Sequence, residues 1–427
     1  MNILIKSGHL IDPKNDVDGI HDIYISDGQI AAIGKSPKGF MAEQTIDANG
    51  KTVIPGIVDL SARLREPGHE HKGTIASETR AAAASGITTL CVPPDTDPII
   101  DNPAVAELIQ RRAEEAGFAH VVTLGALTMG LAGEQLSEMA ELYHEGGCIG
   151  VSNGTRYINN TLIMRRAMEY AASCGLTVFI TPEEHSLVNA GVAHEGSVST
   201  RLGLPAIPEA AETVAVAREL MLVEQTGVRA HFCRLSTGRA INMIARAQHD
   251  GLPITADVAA HQLHLTEMDL GYFNSQCHLR PPLRTQRDLE CLQHGLQTGN
   301  ITAVCSDHQP HDADAKLAPF SETEPGMSAL ETLLPLTLRM ADEGLLTPIE
   351  VVSRLTQHPA EILGLDKGHL GIGAAADICI FDPEQYWVVD AEKLVSQGKN
   401  TPLHGWELKG RVTHTLLNGK TVFSLES

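Results

Sequence analysis

Residues able to bind metals or anions recur directly after apolar runs of the chain. Carboxylates and imidazoles can ligate a cation or move a proton, whereas guanidinium groups bind carboxylates and phosphates. These positions are Ser61, Arg63, Arg65, Asp95, Asn153, Thr181, Glu183, Arg234, His261, Asp307, His308 and His311. Their types decide whether the chain can hold a catalytic centre.

The stretch PGIVDLSARLREPGHEH, residues 55–71, shows the problem most clearly. An apolar run leads into Ser61 and Arg63, where enzymes that place a metal at the end of such a strand carry a His-x-His pair. Zinc requires lone-pair donors at about 2.0–2.2 Å, and Arg offers only N–H groups and stays charged. The stretch therefore predicts a strand end without metal ligands.

Other catalytic arrangements are weaker. Ser306, Asp307 and His308 are consecutive, so a strand would turn them to alternate faces, and no G-x-S-x-G elbow accompanies them. The neighbours Glu183 and Glu184 cannot flank one glycosidic bond. Five histidines could build a different metal site, although their spacing matches no ligand signature. They are His261, His264, His278, His308 and His311.

The middle of the chain alternates strand and helix patterns, with helices predicted at 161–173 and 210–225. Eight such units in about 300 residues have the size and rhythm of a (β/α)8 TIM-type barrel. A doubly wound open sheet is the alternative, but no G-x-G-x-x-G follows the first strand. The predicted strands are 54–60, 87–93, 120–127, 147–153, 176–181, 229–235, 253–259 and 301–306.

Both ends of the chain are β-rich. Residues 1–53 and 367–427 contain short alternating runs broken by Asp-Gly, Pro and Gly turns. We predict one small β-sandwich from these two segments and a barrel over 54–366. Since active sites of such barrels lie at the C-terminal ends of the strands, the barrel would gather the residues named above.

Composition excludes several functions. Lys and Arg number 32 against 53 Asp and Glu, so the formal charge is −21 over 427 residues, and neither nucleic acid nor an anionic membrane is a suitable partner. No run resembles a signal peptide or a transmembrane span, which predicts a cytoplasmic protein. The eight cysteines form no C-x-x-C pair, which indicates reduced thiols. They are Cys91, Cys148, Cys174, Cys233, Cys277, Cys291, Cys305 and Cys379.

Six segments carry a resemblance to a known family. They are DLSARLREPGHEHKGTIASETRAAAASGITTL, GLPAIPEAAETVAVARELMLVEQTG, RPPLR, SDHQPH, ADICIFDP and NTPLHGWELKGRV. In text, order and spacing the chain resembles the dihydroorotases of the cyclic amidohydrolase superfamily over nearly its whole length. The resemblance implies a metal-dependent barrel that interconverts carbamoyl aspartate and dihydroorotate, together with a β-sandwich made from both ends.

The resemblance also implies six positions for one or two zinc ions. Family members use a His-x-His pair, an Asp, two further His residues and a final Asp. Here the positions are Ser61, Arg63, Asn153, Thr181, Arg234 and Asp307, and only the last keeps the family's residue type. One carboxylate cannot hold the ion, so we predict no metal and no activated water, with zinc as the alternative.

The positions that grip the substrate in this family are altered as well. Arg65 and His311 match, but Asp95 replaces an Asn. Two carboxylates about 4 Å apart repel by roughly 4 kcal/mol at an effective dielectric of about 20. Arg280 also replaces an Asn, and we place it beside Asp95 as a compensating cation. These four positions are interpreted as a vestigial substrate site that does not bind dihydroorotate.

Arg63 and Arg234 suggest what replaced the metal. We hypothesise that their guanidinium groups take the volume and charge of zinc and pair with Asp307, because a buried carboxylate needs a partner. The alternative is that both arginines point into solvent.

A scaffold kept without its chemistry predicts a structural or regulatory role. The chain resembles the non-catalytic, dihydroorotase-like subunits of some bacteria, which associate with the aspartate transcarbamoylase catalytic chain. This implies an inactive subunit of a hetero-oligomer in pyrimidine biosynthesis, which also self-associates as a homodimer or higher oligomer. Two alternatives stay open. One is an active amidohydrolase built on the histidines and Asp307; the other is a sensor that binds an anionic metabolite through Arg65, Arg280 and His311.

Overall fold

A computed structural model describes residues 1–425 and begins with short strands joined by tight turns. They are β1 (Asn2–Asp12), β2 (Val17–Ser26), β3 (Gln29–Ile33), β4 (Gln44–Asp47) and β5 (Thr52–Pro55). The β2–β3 hairpin turns at Asp27 and Gly28, whose φ angles of 50° and 82° match the positive values that a tight hairpin turn needs. β1 changes register near Gly8, so its first half pairs with β4 and its second half with β5.

The middle of the chain supplies the barrel strands and one small separate ladder. In chain order they are β6 (Ile57–Asp59), β7 (Ile87–Val92), β8 (His120–Ala126), β9 (Gly150–Ser152), β10 (Thr177–Ile180), β11 (Ala193–His194), β12 (Ala206–Ile207), β13 (Ala230–Phe232), β14 (Ile254–Ala259) and β15 (Ala303–Cys305). β11 and β12 pair only with each other. The other eight are parallel and follow the order β15-β14-β13-β10-β9-β8-β7-β6.

Helices cover the outside of these strands. They are α1 (Ile75–Ala84), α2 (Pro103–Ala116), α3 (Met139–His144), α4 (Thr161–Ser173), α5 (His185–Val188), α6 (Ser197–Leu202), α7 (Ala210–Thr226), α8 (Gly238–His249), α9 (Gln286–Gln297), α10 (Leu330–Asp342), α11 (Pro348–Leu355) and α12 (Gln357–Leu363). Their ends follow local chemistry. For example, Asn102 caps α2 by accepting from the Ala104 amide, and Gly117 ends that helix at a φ of 70°.

The chain then returns to the first sheet through β16 (Ile378–Val388), β17 (Glu407–Leu417) and β18 (Lys420–Ser424). The sheet order β18-β17-β16-β5-β1-β2-β3, with β4 beside β1, confirms that the two ends of the chain build one unit. This unit is a single branched sheet around its own apolar core, which includes Ile3, Leu10, Val53, Ile380 and Leu416.

The predicted first barrel strand, 54–60, is wrong as a single strand. Gly56 donates its amide to Asp377 O in the end sheet (2.8 Å), whereas Ile57 donates to Gly86 O in the barrel (3.0 Å). The chain thus changes sheets at Gly56, so the end sheet extends to Pro55 rather than to 53. Residues 426–427 of the predicted C-terminal segment lie outside the described residues.

The predicted (β/α)8 barrel is confirmed, and it is nearly closed. Between β15 and β6 the strand ends meet through backbone bonds, from Arg63 N to His308 O (2.9 Å) and from His308 N to Ser61 O (3.1 Å). Side chains fill the interior, as in other barrels of this type. They include Val58, Leu124, Phe179, Ala259 and Cys305.

All eight cysteines are free thiols, and six of them are buried. Within residues 1–425, no helix combines the length and apolar character that crossing a membrane requires.

Candidate functional site: an ion network at the barrel mouth

Two buried residues of opposite charge meet at the C-terminal ends of the barrel strands. Arg234 follows β13 and Asp307 follows β15, and both have left-handed backbone angles, φ 52° and 50°. Such angles are costly for residues with a side chain and occur where the surroundings enforce them. Here they accompany a close contact, in which Arg234 Nε lies 3.4 Å from Asp307 Oδ1.

Arg234 also binds two hydroxyl groups from other strand ends. Its Nη1 donates to Ser61 Oγ (2.7 Å) after β6, and its Nη2 donates to Thr181 Oγ1 (2.6 Å) after β10. The guanidinium is therefore held by three separate strand ends. Its exposed fraction is 5%, so this cation belongs to the interior.

Arg63 joins two carboxylates. Its Nε and Nη2 donate to Asp95 Oδ2 at 3.1 and 2.8 Å, while Nη1 lies 3.6 Å from Asp307 Oδ1. Asp95, Arg63, Asp307 and Arg234 thus alternate in charge, and we call them the mouth ion network. The hypothesis that both arginines pair with Asp307 is confirmed, and the alternative that they point into solvent is wrong.

Burial and pairing set the charges of this network. Burial alone would raise the pKa of Asp95, but the guanidinium groups of Arg63, Arg234 and Arg65 together outweigh it and hold that pKa below its usual range. Burial raises the pKa of Asp307, and Arg234 and Arg63 offset this only in part. Burial would lower the pKa of Arg234, yet Asp307, together with other buried groups that include Asp257, raises it above the ordinary value. A permanent cation therefore sits at the centre of the mouth.

Little open space is left around the network. A cavity of about 10 Å³ is lined by residues that include Thr181, Glu183, Arg234 and Arg280, and another of about 30 Å³ lies beside Asn153. One water needs roughly 10–15 Å³, whereas small-molecule pockets measure about 300–1,000 Å³. Each of these two cavities has room for a water or two and is far smaller than a small-molecule pocket.

The prediction that Arg280 compensates Asp95 is wrong. The loop after β14 carries Arg280 to the end of β10, where its Nε donates to Glu183 Oε1 and Oε2 at 3.0 and 2.9 Å. Asp95 is instead neutralised by Arg63. The sequence does not reveal this exchange of partners, because nothing local indicates where the long loop after β14 places Arg280.

Arg65 and His311 lie together, as two residues of one vestigial site should. Arg65 donates through Nε to Pro310 O (2.9 Å), and its Nη2 lies 3.2 Å from His311 Nε2. Burial, together with the charge of Arg65, lowers the pKa of His311 to about 3. The imidazole is therefore neutral. Its Nε2 also lies 3.0 Å from Pro325 O, so it either donates to that carbonyl or accepts from the guanidinium, and both side chains already have protein partners.

Asn153 lies to the side of the network. Its Oδ1 accepts from Thr128 Oγ1 (2.8 Å), and its Nδ2 donates to Arg156 O (2.7 Å). These bonds tie the amide to neighbouring loops. Direct contacts thus join Ser61, Arg63, Thr181, Arg234 and Asp307, whereas the sixth predicted position, Asn153, lines a cavity with Thr181 and makes its hydrogen bonds to the loops.

Comparison with known proteins agrees with this fold and these segments. A family model described as Dihydro-orotase-like matches residues 50–240, and one described as Amidohydrolase family matches residues 323–423. A dihydroorotase-like protein of Pseudomonas aeruginosa is 50% identical over 419 residues, which is 98% of this chain and 99% of that protein. The chain belongs to the dihydroorotase-like family.

Other relatives bear different names. A protein of Geobacter metallireducens named dihydroorotase is 42% identical over 423 residues, 99% of this chain and 100% of its own. The structure of L-hydantoinase from Arthrobacter aurescens superposes with a TM-score of 0.89 at 24% identity, over 100% of this chain and 97% of that one. The hydantoinase shares the fold with this dihydroorotase-like chain.

The metal implied by the dihydroorotase resemblance does not fit the residues at the mouth. Of the six positions, Asn153 points elsewhere and the hydroxyls of Ser61 and Thr181 accept from Arg234. The remaining carboxylate, Asp307, already faces two guanidinium groups. A divalent cation would have to enter beside two fixed positive charges, with one carboxylate to hold it.

A second group with metal-ligating atoms lies deeper, among the barrel strands. His231, Cys233 and Asp257 are all buried and bring one ligand atom each within 4.8 Å of the others. Its atoms already bond to one another and to protein: His231 Nε2 lies 2.9 Å from Asp257 Oδ2, and Nδ1 lies 2.8 Å from Thr255 Oγ1. Burial raises the pKa of the Cys233 thiol, which disfavours the thiolate that zinc needs.

The five histidines proposed as an alternative metal site do not form one cluster. His264 Nε2 bonds to Leu336 O (2.7 Å), His278 Nδ1 to Thr323 Oγ1 (2.8 Å), and His308 Nε2 to Glu78 Oε2 (2.8 Å). Each has a different local partner. Among residues 1–425, the metal-ligating group that does form includes none of these five.

Sequence reasoning missed two buried carboxylates near the site. Glu78 is fully buried and binds His308 from one side and Ser396 Oγ (2.6 Å) from the other. Asp59 accepts from the Ser306 amide (2.8 Å), and burial raises its pKa to about 7. The sequence could have pointed to Asp59, because an acidic residue inside an apolar strand is expected to be buried and to need a hydrogen-bond partner.

Proposed function

We propose that this chain is a catalytically inactive dihydroorotase homologue, which serves as a structural and assembly subunit for aspartate transcarbamoylase in de novo pyrimidine biosynthesis. The proposed lack of catalytic activity rests on the position of the Arg234 side chain. Its guanidinium lies between Ser61, Thr181 and Asp307, three positions that hold metal in the resembled enzymes. Without a metal, no group at the mouth polarises the substrate carbonyl or activates water.

The small volume of the mouth supports the same proposal. Arg234 lines a cavity of about 10 Å³ at the mouth, and the cavity beside Asn153 measures about 30 Å³. The sensor alternative meets the same obstacle, since Arg280 is bound to Glu183 and Arg65 to Pro310 and His311. An anionic metabolite would have to displace these partners.

The assembly role is supported by the resemblance to non-catalytic subunits and by the retention of the complete fold. The relative in Pseudomonas aeruginosa, named dihydroorotase-like, matches the chain from end to end. A protein that keeps its scaffold while losing its ligands acts through its surface. The partner we propose is the aspartate transcarbamoylase catalytic chain of the same cell.

A second candidate is an active metal-dependent amidohydrolase with a rearranged site. The group His231, Cys233 and Asp257 favours it, as does the name dihydroorotase of the Geobacter metallireducens relative. Against it stand the burial of all three side chains and the protonated thiol.

Two measurements test the proposal. The first is the zinc content per chain after expression in zinc-supplemented medium, followed by assay with carbamoyl aspartate and with dihydroorotate in added zinc or manganese. We expect a content near zero and no turnover, with the Geobacter metallireducens relative as the positive control. One or two zinc ions per chain, with turnover that Asp307→Ala abolishes, would establish the enzyme instead.

The second measurement is gel filtration of the chain mixed with the aspartate transcarbamoylase catalytic chain. We expect one complex of higher mass than either component. Separate elution at micromolar concentrations would reject the assembly role and leave the inactive barrel unexplained.

A further inference from the structure

Two loops at the barrel mouth display a group of apolar side chains to solvent. We call residues 266–276, after β14, and residues 312–324, after β15, the paired loops. Tyr272 is 97% exposed, Leu317 77% and Met268 62%, and Phe273 is 49% exposed. Single exposed apolar residues are common on protein surfaces, but several on adjoining loops indicate a contact surface.

The paired loops are rigid beneath this surface. Buried Lys316 donates through Nζ to His278 O (3.1 Å) and to Glu324 O (2.6 Å), while Ser275 Oγ donates to Lys316 O (2.8 Å). His278 also stacks on the ring of Phe320, with 5.1 Å between the ring centroids. The Ser275–Lys316 bond joins the two loops, and His278, just beyond the first loop, contacts Lys316 and Phe320 of the second, so the backbone beneath the apolar side chains is supported.

The backbone of Phe273 provides an independent observation. Its φ is 65°, an angle that bulky residues rarely adopt and glycine adopts freely. The chain nevertheless carries a half-exposed aromatic ring at this point. Backbone strain of this kind collects at binding surfaces, where a partner makes use of the strained residue.

The charges of the loops indicate the kind of partner. Residues 266–276 contain no basic residue, and residues 312–324 contain only Lys316, which is buried. Six acidic residues therefore give the paired loops a net negative charge, and we call these residues the acidic rim. They are Glu267, Asp269, Asp312, Asp314, Glu322 and Glu324. A complementary partner would offer an apolar pocket with Lys or Arg around it.

We infer that the paired loops are the docking surface for the partner chain of the proposed complex, with Tyr272 and Phe273 as its anchors. The inference rests on the proposed function. In an active barrel, mouth loops would admit substrate and close over it. Here the mouth beneath them is filled by the mouth ion network, so these loops are free to serve an interface. Aromatic anchors on a rigid support lose little entropy on binding.

The test is a double variant, Tyr272→Ser with Phe273→Gly. Glycine tolerates the left-handed backbone, so the variant removes both rings without new strain. The matched control is Leu162→Ser with Met221→Ser, which removes two apolar side chains, 50% and 65% exposed, from α4 and α7. Affinity for the aspartate transcarbamoylase catalytic chain is measured by calorimetry, and the mass of the chain alone by light scattering.

We expect the loop variant to bind about 30-fold more weakly and the control variant to bind like the wild type. Reversing the acidic rim with Asp269→Lys and Asp314→Lys should slow association, and added salt should reduce the difference. If the loop variant binds as tightly as the wild type, the interface lies elsewhere on the chain and the proposed function stands. A wild-type chain that does not bind would reject both. Loss of a homodimer in the loop variant would make a second copy of this chain the occupant and overturn the inference.

Discussion

Asp307 and Arg234 provide the sharpest test of the mouth ion network. Asp307→Asn keeps the shape of the side chain and removes its charge, which leaves the buried guanidinium of Arg234 with two hydroxyl partners only. Arg234→Met keeps much of the volume and leaves Asp307 with the Arg63 cation and the amide of Gln309. Removing one member of a buried ion pair costs about 3–5 kcal/mol, since the other charge stays buried without compensation.

The distances allow an estimate of the coupling between the two residues. At 3.4 Å and an effective dielectric of about 20, two unit charges attract by about 5 kcal/mol. Desolvation cancels part of this attraction. We therefore expect each single variant to lose about 3 kcal/mol of unfolding free energy, and the double variant to lose about 2 kcal/mol less than the sum.

The assay is urea unfolding followed by circular dichroism and by tryptophan fluorescence, so that coincident curves establish a single transition. The control cycle uses Arg339→Met and Glu343→Gln, an exposed helical pair 2.8 Å apart, whose coupling should stay below about 0.5 kcal/mol. Equal coupling in both cycles would refute the claim that the buried guanidinium replaces a metal as the counter-charge of Asp307.

Three further predictions concern other buried groups. The pKa of Asp59 is raised by burial to about 7, so between its unfolded value of 3.8 and about 7 the folded state binds more protons, and stability should fall as pH rises. Burial raises the pKa of Glu331 to about 7 as well, so Asp59→Asn should lessen this slope in unfolding curves from pH 4 to 8, and an unchanged slope would contradict the prediction. Burial and Arg65 lower the pKa of His311 to about 3, so between pH 3 and 6.5 the folded state binds fewer protons than the unfolded state, and stability should fall as pH falls. His311→Asn should lessen this loss of stability in melting curves recorded at acid pH. An equal loss in the variant and the wild type would reject this role of His311. Glu78→Gln should lower the free energy of unfolding in urea by about 2–4 kcal/mol, because the fully buried His308 loses its carboxylate partner. A loss no larger than that caused by the exposed Glu343→Gln would show that Glu78 does not stabilise His308.

The strands and several side-chain neighbours could be predicted from local pattern. Seven of the eight predicted ranges contain one barrel strand and no part of another strand, and the helix predicted at 161–173 is α4 at those residues. Apolar runs bounded by Gly, Pro and polar residues suffice for this, because strand and helix periods are local properties. The exception, the strand predicted at 54–60, failed at Gly56, where consecutive amides bond to two different sheets. No local pattern distinguishes such a change of sheet from a continuous strand.

The sequence by itself determined the barrel and the sheet built from both ends, because both follow from residue type and spacing. The resemblance to dihydroorotases implied six metal positions in addition, and five of them carry residue types that are weak zinc ligands or none. The tertiary structure alone decided which charges pair. Arg63 reaches Asp95 and Asp307, while Arg280 is carried by its loop to Glu183. Several cations and carboxylates share one crowded mouth, and the distances that select among them depend on how loops far apart in the chain cross the strand ends.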